Sequence, residues 1–331
     1  MDRSWESGGW HDGRARYQRR SAAGMPAGAD QGLLATEGAF GSPGSLLGVA
    51  VPISFLSDFG RVDEFVGVVH GVIARIAPEV RVIDVGHDFP RGEVRIAALA
   101  LLRAIQYLPR GVALAVVDPG VGTERRPIAV RTEWGHFVGP DNGLLAPAVA
   151  MVGGADRIVS IDNPELRIPS AGATFQGRDL FAPSAAVLAS GEAAIDDLGP
   201  EIVDGSFMPL MVPLAERLED GVLGEVLWVD HFGNVSTNLG PDDLVDLGLK
   251  PGDDVSVAVG VTEHRVPWAA AYGDVDPGKL LLHVDSSGQV AVAVRGGRAD
   301  ERLGVGHHVS VTFRRPRGGN RITVQGVSPA V

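Results

Sequence analysis

The chain has 331 residues, 45% of them apolar and 21% charged, which is length for about two domains and the composition of an ordinary globular protein. Its formal net charge of -12 argues against a nucleic-acid partner, and the absence of cysteine excludes disulfides, thiolate metal sites and a cysteine nucleophile. No apolar run reaches the roughly 18 residues of a membrane span, the longest being Ile96 to Leu102, so a cytoplasmic protein without membrane partner is expected.

Residues 1–49 are rich in Gly, Ala, Ser and Arg, lack periodicity and hold no apolar stretch that would serve as a signal sequence. They read as a disordered tail, with Met25 an alternative start. From Val51 the pattern becomes strand, loop, helix, repeated. Ile53 to Leu56 is a strand ending in Ser57-Asp58-Phe59-Gly60, and Phe65, Val69, Val72, Ile73 and Ile76 then recur at helical spacing before Pro78. Val80 to Val85 reads as a strand, Glu93 to Tyr107 as a helix, and Val112 to Val117 as a strand running into Asp118-Pro119-Gly120-Val121-Gly122. Ile128–Arg131 and His136–Val138 bracket a hairpin that ends at Asp141-Asn142-Gly143, and Asp179–Ser190 is a helix with Gly191 as its C′ residue. This alternation predicts an α/β N-terminal domain, 50–205, with a mostly parallel sheet covered on both faces. Pro209 and Pro213 punctuate a linker, 206–219. Short alternating strands then dominate 220–331 (Gly224–Val229, Asp254–Val259, Leu280–Val284, Gln289–Val294, Val309–Phe313), with only Pro241–Leu247 helical, which predicts a smaller β-barrel-like C-terminal domain.

Apolar segments end in an acid beside glycine at Asp58, Asp118 and Asp141. Each alone fits an Asx turn or a helix cap. On neighbouring parallel strands, all would meet at one rim, where open α/β sheets bind ligands. Arg125 and Arg126 add guanidinium groups to the Asp118 loop. Gly120-Val121-Gly122 lacks the Lys-Ser/Thr of a phosphate loop, and no dinucleotide fingerprint is present. In Thr174-Phe175-Gln176-Gly177-Arg178-Asp179, the residues fit either a plain cap or a Gln176 side chain in the cleft. Farther on, Asp230-His231-Phe232-Gly233-Asn234 forms a loop in which Asn234 suits a turn and the Asp230 carboxylate suits an ammonium. The scattered histidines suggest no metal site, and His307-His308 reads as a solvated turn before a strand.

These segments in this order resemble the S-adenosyl-L-methionine (SAM) hydroxide adenosyltransferase family, the SAM hydrolases, relatives of the fluorinase and chlorinase. The carriers are Ser57-Asp58-Phe59-Gly60 with Asp63, Gly86-His87, Asp118 to Thr123 with Arg125-Arg126, Val138 to Leu145, Thr174 to Asp179, and Asp230 to Asn238. The resemblance runs from about Pro52 to the C-terminus. It implies an α/β domain followed by a β-rich one, a homotrimer with active sites between subunits, and hydrolysis of SAM to adenosine and L-methionine without cofactor or metal. By similarity Asp58 chelates the ribose diol, Asp230 and Ser286 hold the methionine amine and carboxylate, and Asn234 with the backbone near Arg295–Gly297 reads adenine. Asp63, Asp141, Asn142 and Phe175 complete the substrate-binding set. The catalytic set of the family maps to Asp118, Arg125 and position 176. There the chain departs: the family's histidine is Gln176 here, and an amide orients water but cannot take its proton. A catalytically impaired SAM- or adenosine-binding protein of the same fold is therefore an alternative. The halogenase branch is disfavoured, because it lacks the Asp-Pro-Gly loop kept at Asp118.

Overall fold

The computed structural model describes residues 50–203 and 206–316. The tail expected at 1–49 lies outside the described residues, as do the last residues, 317–331, of the expected second domain.

Strands β1 (Ile53–Ser57) and β3 (Val112–Val116) are buried along their whole length, as continuous apolar runs must be when helices cover both sheet faces. They pair in parallel with each other and with β2 (Val82–Gly86) and β5 (His136–Pro140). β4 (Pro127–Arg131) runs antiparallel between β5 and β6 (Arg157–Ser160), giving the order β2-β1-β3-β5-β4-β6. Helices α1 (Phe65–Ile76) and α4 (Ala182–Ser190) cover one face, packing Val69, Ile73, Ala185 and Ala189 on Phe55 and Leu114. On the other face, α2 (Val94–Ile105) and α3 (Ala146–Met151) pack Leu101, Ile105 and Ala148 on Leu56 and Ala115. Gly139 in β5 permits close approach to β3, since a Cβ there would stand 2.3 Å from the Ala115 carbonyl oxygen.

The helix expected over Asp179–Ser190 begins differently. Gly177–Phe181 is a π turn, and α4 follows from Ala182, ending at Gly191 in the expected left-handed conformation with φ 75°. Pro183 has no N–H to give the Asp179 carbonyl, which accepts instead from Ile168 N at 2.9 Å. The opening turn widens so that Ala182 N bonds Gly177 O.

In the second half, β7 (Glu216–Arg217), β8 (Gly221–Val229), β9 (Val235–Thr237), β10 (Asp254–Val259), β11 (Thr262–Pro267), β12 (Leu280–Val284), β13 (Val290–Val294) and β14 (Ser310–Arg314) form an antiparallel sheet ordered β11-β10-β14-β8-β9-β13-β12, with β7 on β8. Ala269 N donates to Leu282 O at 2.8 Å beside a Trp268–Leu282 bridge, so the two ends nearly meet. The result is a nearly closed, barrel-shaped sheet around Val226, Val257, Val292, Trp268 and Phe313. Two expectations need correction. Pro241–Leu247 is not the only helical stretch: α5 (Pro241–Val245) is joined by α6 (Ala299–Leu303), too short to show a period in the sequence. The end of the expected linker, Glu216–Arg217, belongs to the sheet.

The His307-His308 turn does precede β14, but it is not free in solvent. His308 stands 3.0 Å from Glu93 and 3.2 Å from Glu225, Arg95 donates to Glu225 at 2.5 Å, and the His307 ring lies 5.7 Å from Trp228. These contacts tie the start of α2 to β8. The imidazoles withdrawn from solvent carry a consequence for stability. His87, His136 and His307 are all pushed below the ordinary 6.5, in each case first by burial. Between 6.5 and those lower values the unfolded chain binds more protons than the folded one, so stability is lost as pH falls through that window. Melting temperature is expected to drop on going from pH 7.5 to about pH 5.5, with a smaller drop in His136→Gln; a flat or rising profile would contradict this.

Candidate active site

β1, β3 and β5 are neighbours in the sheet and parallel, so the loops carrying Asp58, Asp118 and Asp141 leave the same, carboxyl-terminal edge. Their convergence registers electrostatically. The Asp58 carboxyl is raised above its usual range by burial, and the negative charge of Asp118 adds to the rise; a hydrogen bond from Gly92 N at 2.8 Å opposes it.

Asp118 and Arg125 form the centre of this edge. Their side chains are only 6% and 8% exposed, and the guanidinium grips the carboxylate through two nitrogens, Nε to Oδ1 at 3.2 Å and Nη2 to Oδ2. A tight loop makes this pairing possible: Val121 N bonds Asp118 O, and Thr123 Oγ1 donates to Gly120 O at 2.7 Å, which turns the chain back toward its own strand. Arg125 Nη2 also donates to Gln176 Oε1 at 2.8 Å. The guanidinium lies 5.4 Å from the Phe181 ring centre, and its Nη1 is buried without a hydrogen-bond partner among the described residues. Gln176 reaches this position from the N-terminal end of the π turn. At the next residue, a Cβ on Gly177 would meet Phe59 at 2.7 Å, so only glycine lets the turn sit against the Asp58 loop. Phe175 packs edge-on against Phe59 and Phe65, with the Arg178 guanidinium over its face at 5.0 Å.

The remaining candidates on this side behave differently. Asp141 accepts from Met208 N at 2.6 Å and Arg126 Nε at 2.9 Å, while Asn142 Nδ2 donates to Val117 O at 2.8 Å. Their polar groups are engaged in holding the 206–208 segment and the end of β3. Asp63 is exposed in the loop before α1.

A second cluster forms in the barrel. Asp230 Oδ1 accepts from Phe232 N and Asn234 N, and Oδ2 from Asn234 Nδ2 at 2.8 Å. Asn234 Nδ2 also reaches the Tyr272 hydroxyl at 3.3 Å. That phenol is raised above its usual range by burial first and by the Asp230 charge second. Nearby, Ser236 Oγ donates to Asp285 Oδ2 at 2.8 Å, and Asp285 Oδ1 closes the turn that exposes Ser286. Arg295 Nη1 donates to Val275 O at 2.6 Å, and Gly297 N bonds Val294 O. Sequence reasoning missed Tyr272, Ser236 and Asp285: no motif surrounds Tyr272, and although Ser236 lies inside the Asp230–Asn238 segment and Asp285 beside Ser286, only the fold brings those two side chains together. Among the described residues no hydrogen bond or ion pair joins this cluster to the Asp118 cluster, and no group of three His, Asp or Glu side chains is placed to hold a metal.

The same division into halves appears in comparison with known proteins. The SAM hydroxide adenosyltransferase N-terminal domain model matches residues 53–199, and the C-terminal domain model matches 224–312. The chain is 49% identical over 253 residues to the (R)-S-adenosyl-L-methionine hydrolase of Salinispora tropica, covering 76% of this chain and 94% of that protein. It is 42% identical to the enzyme of that name from Thermus thermophilus, covering 77% and 96%. A fluorinase from Nocardia brasiliensis is 25% identical over 269 residues, covering 73% and 89%. Among solved structures, an uncharacterized conserved protein from Thermotoga maritima superposes with TM-score 0.72 at 38% identity, covering 80% of this chain and all of that one. With both domain models matched in order, the chain belongs to the SAM hydroxide adenosyltransferase family.

Proposed function

We propose that the protein is a cytoplasmic, cofactor-independent SAM hydrolase that forms adenosine and L-methionine. The observation that carries the reading is the Asp118–Arg125 pair, buried at the carboxyl edge of parallel strands and joined by the half-buried Gln176. The chemistry asks little more. Water oxygen attacks C5′, the C5′–S bond breaks, and its electron pair stays on sulfur as the neutral thioether of methionine. No acid is needed for that leaving group. What the site must supply is in-line placement, worth about 7–11 kcal/mol, and a route for the water's proton. Asp118, held by Arg125, orients the water and accepts from it; Gln176, its oxygen taken by Arg125, offers amide N–H groups to the water oxygen.

In this reading Asp58 holds the ribose diol beside Phe175, and Asp63 stays at the rim. Asp230 and Ser286 hold the amino-acid end; Asn234 and the backbone at Arg295–Gly297 read the base. Asp141 and Asn142 act as supports of the rim. The family resemblance points to a homotrimer in which the 50–205 half of one subunit faces the 220–331 half of another across the site, with 206–219 as the connection.

Incubating the full chain with SAM, with and without halide, and separating the products tests the proposal. Adenosine and methionine in equal amounts, unaffected by halide, are expected. One observation favours a second reading, a SAM- or adenosine-binding protein: Gln176 stands where the family has histidine. SAM retained on the protein with no adenosine formed would sink the hydrolase reading and leave that one.

A further inference from the structure

Ser57 and His87 are 0% and 2% exposed and stand behind the Asp58 loop, with Ser57 Oγ 2.7 Å from His87 Nδ1. His87 Nε2 lies 3.1 Å from Asp84 Oδ1, off the line of a straight hydrogen bond, and the same oxygen receives His70 Nε2 of α1 at 2.8 Å. A carboxylate beside Nε2 requires the ring proton there, which leaves the lone pair on Nδ1 to accept the Ser57 hydroxyl. The Phe55 ring, 4.6 Å away, closes the other side of the imidazole. Two further bonds run in parallel: Gly60 N donates to His87 O at 2.8 Å, and Gly92 N to Asp58 Oδ2 at 2.8 Å. The 57–60 loop is thus stitched to the 87–92 loop on both sides of Asp58. A serine, a histidine and an aspartate in series have the makings of a nucleophile, but a Ser57 hydroxyl with no exposure meets no substrate.

We propose that His87 is a positioning residue: through Ser57 it fixes the Asp58 loop in the geometry that grips a vicinal diol. The identity of the ligand rests on the SAM-hydrolase reading; the role of His87 is tested without it. Calorimetry of the full chain with adenosine and with 2′,3′-dideoxyadenosine measures the diol preference directly. The wild type is expected to favour adenosine by about tenfold or more, as loss of a charged-group hydrogen bond implies. His87→Leu should weaken adenosine binding by about tenfold and leave the dideoxy compound unchanged, the loss of one well-placed hydrogen bond. His87→Asn, whose amide oxygen takes the place of Nδ1, should restore most of the preference. Asp58→Asn combined with His87→Leu should be no worse than Asp58→Asn alone, because both act on one contact. In turnover, KM for SAM should rise with kcat nearly unchanged. Ser57→Ala, which removes one hydroxyl and spares the fold, should act in the same direction as His87→Leu. A diol preference intact in Ser57→Ala or His87→Leu, equal loss of both ligands, or a wild type indifferent to the diol would overturn the proposal. Adenosine bound with diol preference but no turnover of SAM would remove the hydrolase reading while the affinities still decide the role of His87.

Discussion

Replacing Asp118 by asparagine is expected to lower kcat for SAM hydrolysis by about 10²–10⁴ while KM stays within a few-fold. The asparagine oxygen still receives one Arg125 N–H, so the loop keeps its shape, but the group that accepts from the attacking water is gone. Alanine is the poorer probe. Arg125 is 8% exposed and already has Nη1 without a partner. Both variants remove the counter-charge, but asparagine keeps an acceptor for the guanidinium, whereas alanine also strands its N–H groups; breaking a buried pair that completely typically costs about 3–5 kcal/mol and confounds chemistry with unfolding. Single-turnover kinetics of Asp118→Asn, alongside its melting temperature and SAM affinity, separate the two. A variant that folds, binds and turns over within threefold of the wild type would refute the assigned role.

The elements and the rim were legible because their signals are local. Continuous apolar runs marked β1 and β3, 3.6-residue spacing marked α1, and an acid followed by glycine marked each loop. What could not be read depends on partners distant in sequence. The Asp179 carbonyl that Pro183 leaves free is taken by Ile168 N of another segment, and Asp141 is occupied by Met208 N, 67 residues away. β11, with Glu263, His264 and Arg265 in a row, shows no apolar alternation, yet it pairs along β10, where Arg265 donates to Asp254 and Glu263 accepts from Ser256. Gly86-His87 entered as two letters of a resemblance. Only the fold shows the imidazole locked against Ser57, because β1 and β2 had first to be placed side by side. Position 176 is similar. The substitution was plain in the sequence, but its meaning turns on which atom of the amide faces Arg125.

That orientation gives the second large effect. Because Gln176 Oε1 accepts a hydrogen bond from Arg125, its amide presents only donors to the cleft, and the wild-type site has no imidazole to titrate there. Gln176→Leu removes the group that places the nucleophile and strands a second Arg125 N–H, so kcat should fall by about 10²-fold, the usual cost of misplacing a reactant. Gln176→His should do the reverse. A neutral ring accepts the water's proton, a contribution usually of about 10²–10⁴-fold, and the gain should sit near tenfold because Arg125 competes for the same lone pair. The sign of the pH dependence follows. Only the neutral ring is a base, so the rate of Gln176→His should climb as pH rises through about 6.5. Over the same range the wild-type rate should lack that step. Initial rates for both proteins between pH 5.5 and 8 decide the matter: equal rates with parallel profiles would mean that position 176 moves no proton, and that donation from the amide to water is all the site needs there.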